Sequence, residues 1–328
     1  MRQQRLDSFR LYAIFLIVCA HVQFFGSGTD ENSPLALRLF QFLVVTVVRY
    51  SMPFFFILAG YFTGGKMSRE PGNALAIARA YTARLGLVFL FWCLVYAVEN
   101  PTLFSFLLHE HPVQLVLDGS RVHLWFMVSL ILTVWLFALW PFHRHEKSFL
   151  WLGVVLYVVG LLAGSYRVTP LGFNLHFNPR DGVFLSTLFF AIGVAFSRKM
   201  PKISTKAAVA LAAGGFGLYC AEVAYLRLAW GWGVLRHDFL LGTIPFGLGI
   251  SLLALTKPDT ASDKFFGPYG RYTLGIYASH ILFLDLYRPI GAWVNPYVWQ
   301  IIYSLLVFGS ALAVSMLLAR TPLRKMVL

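Results

Sequence analysis

Two side chains near the start of the chain, Arg10 and His21, are of the types and at the spacing that acyl chemistry needs. They stand eleven residues apart. On a helix, at about 100° per residue, that separation falls within about 20° of three full turns, and at about 1.5 Å per residue it covers about 16 Å. The two therefore share a face, one near a membrane surface and one deep in the apolar run. A guanidinium forks onto phosphate oxygens. A neutral imidazole can take the proton of a hydroxyl as its oxygen attacks a thioester. An elongated anionic donor such as acyl-coenzyme A fits that geometry. The plainer reading makes Arg10 an anchor snorkelling to headgroups and His21 a hydrogen-bonding residue between helices. Spacing alone leaves both open.

Other polar residues in apolar surroundings carry the same double reading. Arg49 precedes Met52-Pro53 in the second apolar run, and its cation needs an anionic or carbonyl partner, either an acyl donor, a transition-state oxyanion or a neighbour in the bundle. Asp7 lies one turn before Arg10 and is placed to hold that guanidinium. His123 and Trp125 open the fourth run, where a ring stacks on a sugar face or anchors a helix at the interface. Arg180 and Asp181 orient sugar hydroxyls or form a simple ion pair. His280 sits inside the ninth run as an acceptor-side residue or a helix-packing one, and Asp285, turned about 140° from it on a helix, is a poor partner. The pairs His109/His111 and His143/His145 lack a third ligand in sequence, so no metal is expected. No nucleophile elbow, P-loop or dinucleotide fingerprint is present, which leaves hydrolase, ATPase and oxidoreductase readings without a motif.

The elements that must position these residues follow from composition. The chain has 328 residues, 58% hydrophobic and 12% charged, far more apolar than a soluble domain. Ten apolar runs approach the length of a membrane-crossing helix, about 20 residues: Ser8 to Gly26, Phe40 to Tyr61, Ala80 to Val98, Val122 to Pro141, Phe149 to Gly164, Val183 to Ser197, Lys206 to Leu226, Phe239 to Leu255, Thr273 to Tyr287 and Val298 to Ala319. The expected fold is an all-α integral membrane bundle of about ten helices, forming one domain with no separate soluble part. The first run reads as a retained span, because Arg10 and His21 are poor residues for a cleavable signal core.

Of 27 Lys and Arg residues, nineteen fall on the side shared by both termini when the runs alternate across the bilayer. Both termini are therefore expected in the cytoplasm. This asymmetry accounts for the formal charge of +13, and no nucleic-acid partner is expected, since no basic helix or RNA-binding motif accompanies it. Cys19, Cys93 and Cys220 are an odd number within apolar stretches and support neither a disulfide framework nor a cysteine-rich zinc site.

Four segments in order resemble the acyltransferase-3 membrane family: Arg5-Leu-Asp-Ser-Phe-Arg10 with an apolar run to His21; Ser51-Met-Pro-Phe-Phe-Phe-Ile-Leu-Ala-Gly60-Tyr61; His123-Leu-Trp-Phe126; and Leu274-Gly-Ile-Tyr-Ala-Ser-His280. In length and motif order the chain is similar to the enterobacterial-common-antigen type of O-acetyltransferase. The resemblance implies transfer of an acyl group, most often acetyl, from cytoplasmic acyl-coenzyme A to a hydroxyl of a cell-surface carbohydrate or its lipid-linked precursor, in a bacterial inner membrane. It implies His21 as the catalytic residue and Arg10 as a coenzyme-A contact, with Arg84 as a further donor contact and His123, Trp125 and His280 on the acceptor side; Arg49 as a donor contact and Asp181 as an acceptor contact rest on the reading of the residues above. The family's paired arginines of the third span are matched at Arg84 only, since Tyr81 stands at the other position and Arg79 lies two residues earlier. The family's Ser-Gly is Ala59-Gly60 here, so a serine nucleophile is not expected there. The rival reading is a polytopic exporter or transporter, which many apolar helices with buried charges also describe. Inverted repeats with broken helices would favour that rival, and none is seen in the sequence.

Overall fold

The computed structural model describes residues 3–23, 33–141, 146–175, 177–235 and 237–328. Its regular elements among these residues are all helical. They are α1 (Gln4–His21), α2 (Leu35–Val47), α3 (Ser51–Ala59), α4 (Gly65–Arg69), α5 (Ala74–Glu99), α6 (Pro101–Glu110), α7 (Pro112–Asp118), α8 (Trp125–Leu139), α9 (Glu146–Ala163), α10 (Ser186–Arg198), α11 (Thr205–Trp230), α12 (Thr243–Thr256), α13 (Ala261–Phe266), α14 (Thr273–Tyr287) and α15 (Pro296–Leu318). A helix lies at each of the ten apolar runs. Five stretches are long and apolar enough to cross a membrane: Leu35–Arg69, Pro71–Glu99, Val122–Leu139, Thr205–Trp230 and Pro296–Leu318. Leu90, Leu94, Val98, Val155 and Leu305 stand exposed on these and neighbouring helices, as side chains facing lipid do. An all-α membrane protein satisfies its backbone inside each helix, which hydrocarbon demands.

The chain divides into two compact units, Met1–Ser51 with Lys257–Leu328, and Met52–Thr256. In the first, α1 is the central element, packed by α13, α14, α15 and the 3₁₀ turns Val48–Tyr50 and Gly267–Tyr272. Gly270 permits the closest of these approaches, since a Cβ there would stand 2.2 Å from the Asp7 carbonyl oxygen. A reciprocal Thr260–Asp263 capping box starts α13. The Arg5 amide donates to Asp259 Oδ1 at 2.8 Å, and Arg5 Nη1 to the Pro258 carbonyl at 3.1 Å, which pins the base of α1. Asn295 caps α15, with Pro296 at its first position.

In the second unit the π-helical turn Gly60–Gly64 meets α10 at van der Waals limits. A Cβ on Gly60 would lie 2.0 Å from the Phe190 carbonyl oxygen, and one on Gly193 would lie 2.0 Å from that of Ile57. Small residues let backbones approach where water cannot drive association. Beside this crossing, Met67, Phe137, Phe149 and Phe190 form a buried cluster. Helices α11 and α12 close just as tightly through Gly215 and Gly249. Their connection is held by Glu222, buried on α11, which accepts from the amides of Leu241 and Gly242 at 3.0 and 2.7 Å and from the Tyr166 hydroxyl at 2.5 Å. The carboxylate thereby serves two amides of the connection just before α12.

Candidate active site

The helix α1 carries Arg10 and His21 as its sequence period implies, both half-buried, with His21 its last residue. Asp7 holds Arg10 as expected, with Oδ1 3.3 Å from Nη1. The turn bearing Arg49 packs on the same helix, and Ser51 next to it donates to the Ala13 carbonyl at 3.4 Å. The first unit thus gathers Arg10, His21, Arg49 and His280 on elements that touch α1.

His280, which sequence reading sets on the acceptor side or in helix packing, is fully buried in α14 and reaches His21 directly. Its Nε2 lies 2.8 Å from Nδ1 of His21, and the rings stack with centroids 4.9 Å apart and planes 23° off parallel. The other nitrogen of His280, Nδ1, faces the carbonyls of Tyr277 at 2.7 Å and Ile276 at 3.2 Å. A carbonyl only accepts, so Nδ1 of His280 carries a proton. With both rings neutral, Nε2 of His280 then holds a lone pair and accepts from Nδ1–H of His21. The lone pair of His21 is left on Nε2. The tautomers follow from this network of acceptors. Asp285, read as a poor partner of His280, instead pairs with Arg288 at 3.1 Å.

The second unit carries the remaining candidates, and it does not bring all of them together. Arg84 is exposed on α5. His123 is buried with its ring edge-on to Tyr96 at 5.4 Å. Trp125 is buried and carries the Arg180 guanidinium on its face at 5.6 Å. Arg180 in turn binds Asp181 Oδ1 through Nε and Asp238 Oδ1 through Nη1, each at 3.0 Å. Asn178 adds a hydrogen bond to Asp238 Oδ2 at 3.1 Å.

This network lines a cavity of about 610 Å³ built from three connections: α6 to α8, α9 to α10 and α11 to α12. Asp118, at the end of α7, is buried there beside Asp181, with Oδ2 accepting from Gln114 at 3.3 Å. Burial, opposed by Arg180 and reinforced by the Asp118 carboxylate, pushes Asp181 up to about 7. Burial likewise raises Asp118, against the pull of Arg180. The two carboxyl groups therefore hold a proton between them near neutral pH.

Sequence reasoning missed Asp118, Asp238, Trp232 and Glu222. Only Glu222 carried a sequence signal, as a carboxylate inside an apolar run; the others sit in loops whose convergence no local pattern encodes. His109 Nδ1 meets its own helix at the Ser105 carbonyl, 2.8 Å away. His143 and His145 lie outside the described residues. Among the described residues no three His, Cys, Asp or Glu side chains could hold a metal ion together, and all three cysteines are free.

Compared with known families, residues 3–320 match the model of a family described as an acyltransferase domain. Among curated proteins the chain is similar to a serine/alanine racemase of Enterococcus gallinarum, 27% identical over 269 residues, which cover 75% of this chain and 36% of that protein. It is also similar to an amino-acid racemase of Enterococcus faecalis, 27% identical over 219 residues, covering 62% and 30%. The matched part thus spans about a third of the length of these curated relatives. No solved structure matches.

Proposed function

The chain belongs to the acyltransferase-3 family of membrane acyltransferases, and from that premise we propose that it is an O-acetyltransferase. It moves an acetyl group from cytoplasmic acetyl-coenzyme A, or a related acyl-coenzyme A, to a hydroxyl of a cell-surface carbohydrate or its lipid-linked precursor. Its setting is a bacterial cytoplasmic membrane. The observation that carries this reading is the 2.8 Å contact between His280 Nε2 and His21 Nδ1, with the far nitrogen of His280 held by Tyr277. That arrangement makes His21 Nε2 a base.

In the step, the acceptor hydroxyl gives its proton to His21 Nε2 while its oxygen bonds to the thioester carbon. The carbon–sulfur bond breaks, and the proton leaves with the coenzyme-A thiol. As His21 becomes an imidazolium, the lone pair on His280 Nε2 stabilises it, so His280 is a positioning residue rather than an acceptor contact. Arg10, oriented by Asp7, binds donor phosphates, and Arg49 and Arg84 are further donor contacts. In the second unit, Asp181 and the cavity around it bind the acceptor, with His123 and Trp125 supporting that region.

The test uses the purified chain in lipid nanodiscs with acetyl-coenzyme A and candidate glycans, following thiol release and glycan mass. Turnover is expected in the wild type and lost in His21→Ala with helicity kept. Normal acylation by that variant would remove His21 as the base, and absence of any wild-type transfer across acceptors would remove the transferase reading.

A further inference from the structure

The second-unit cavity holds two donors that the Arg180 network does not use. Arg167, in the α9 to α10 connection, lines the cavity and lies over the Trp232 ring at 4.6 Å. Its guanidinium makes no hydrogen bond and no ion pair among the described residues. Trp232 lines the same cavity, and its Nε1 is buried and meets no acceptor among the described residues. A guanidinium stacked on an indole keeps its N–H edge free to fork onto two oxygens. A buried N–H without an acceptor costs free energy that a ligand oxygen recovers.

The other charges of the lining are already answered. Arg180 is held by Asp181 and Asp238, Asp118 and Asp181 share a proton near neutral pH, and Glu110 is exposed. Arg167 is left as the cation that a ligand can engage.

We propose that this cavity binds a sugar that carries a carboxylate, a hexuronic acid unit, with the carboxylate forked onto Arg167 and accepting from Trp232 Nε1, and the hydroxyls toward Asn178 and Asp238. A neutral sugar leaves the guanidinium and the indole N–H unserved. A phosphate monoester brings about two negative charges to one available cation, in a cavity that already holds carboxylates. A carboxylate brings one charge and two coplanar oxygens, which the guanidinium fork matches. The volume, about 610 Å³, suits a ligand of monosaccharide size or somewhat larger. The inference rests on the reading of this cavity as the acceptor side and narrows its ligand to acidic sugars.

The test titrates the full chain in nanodiscs, at neutral pH without acyl donor, with three ligands that differ only at C6: methyl glucoside, methyl glucuronide and methyl glucoside 6-phosphate. Binding is followed by ligand-observed NMR. The uronide is expected to bind about tenfold tighter than the neutral glucoside, and tighter than the phosphate. Arg167→Gln is expected to erase that preference while leaving the glucoside unchanged. Trp232→Phe, which keeps an aromatic face and loses the N–H, is expected to reduce it about threefold. Equal affinity of uronide and glucoside for the wild type overturns the proposal. So does a phosphate bound more tightly than the uronide, or a uronide preference that survives whole in Arg167→Gln. Should Arg167→Gln fail to fold, a preference of full size in Trp232→Phe overturns it instead. Binding is read without turnover, so the two readings fail separately. Transfer to neutral glycans without uronide selectivity sinks only the carboxylate seat, and uronide binding without any transfer sinks only the transferase.

Discussion

Nε2 of His280 stands 2.8 Å from Nδ1 of His21, across 259 residues of sequence. The contact joins the last residue of α1 to the middle of α14, and its direction is set by the Tyr277 carbonyl on the far side of the imidazole. In the proposed mechanism, a histidine whose distal nitrogen is tied to a main-chain carbonyl fixes its partner's tautomer and orientation, as a triad carboxylate does, while bringing a lone pair in place of a negative charge.

Replacing the base itself is the sharpest change. His21→Ala is expected to lower kcat for acyl transfer by about 10²–10⁴-fold, with donor affinity kept, as read by coenzyme-A release. An unchanged rate refutes the assignment.

His280 acts through His21, so its loss should move the rate and its pH profile more than binding. His280→Ala is expected to cut kcat by about tenfold or more, leave KM for the donor close to wild type, and shift the pH–rate profile. His280→Asn, which keeps a polar group near His21, should recover part of the loss. A parallel fall of kcat and rise of KM, with no change in pH profile, points to a structural role only.

Arg10 is argued to bind the donor. Arg10→Ala should raise KM for acetyl-coenzyme A with kcat little changed, the signature of lost uniform binding. Arg10→Lys should repair it only in part, because an ammonium lacks the guanidinium fork. Coenzyme-A affinity equal to wild type in Arg10→Ala contradicts the donor contact.

The acidic pair of the second unit predicts a pH dependence of stability. Asp181 is raised to about 7 in the fold by burial, opposed by Arg180 and reinforced by Asp118, against about 3.9 in an unfolded chain. The folded state therefore binds more protons than the unfolded one across that window, and stability falls as pH rises from about 4 to about 7. Gln114, Asn178 and Asp238 are further polar neighbours of this cluster. Thermal melts should show the wild type losing stability through this window, and Asp181→Asn a flatter profile with a higher melting temperature on the alkaline side. A wild-type melt that rises with pH there reverses the sign and refutes the pair.

The crossing of the π turn with α10 tolerates no added methyl group. Gly193→Ala places a Cβ 2.0 Å from the Ile57 carbonyl oxygen, and the required backbone shift should cost about 1–3 kcal/mol or more. Gly214→Ala, where a Cβ meets nothing within 4 Å, is the control. Equal melting temperatures for the two variants contradict the tight crossing.

Much of this protein was legible locally. Apolar runs in the sequence marked ten positions at which a helix lies, five of the helical stretches being long and apolar enough to cross a membrane, because in hydrocarbon the backbone has no alternative to internal hydrogen bonding. The helical period put Arg10 and His21 on one face, and Asp7 beside Arg10. The four ordered motifs matched the family that residues 3–320 belong to. Tertiary structure alone decided what those residues meet. Helices that are apolar around their circumference carry no signal for which neighbour they pack against, so nothing in sequence tied His280 to His21. The convergence of Asp118, Asp181 and Asp238 around Arg180 arises from three separate connections. Such a cluster is defined by how the helix ends come together, and only packing forces, among them glycines admitting carbonyl oxygens at α10, determine that.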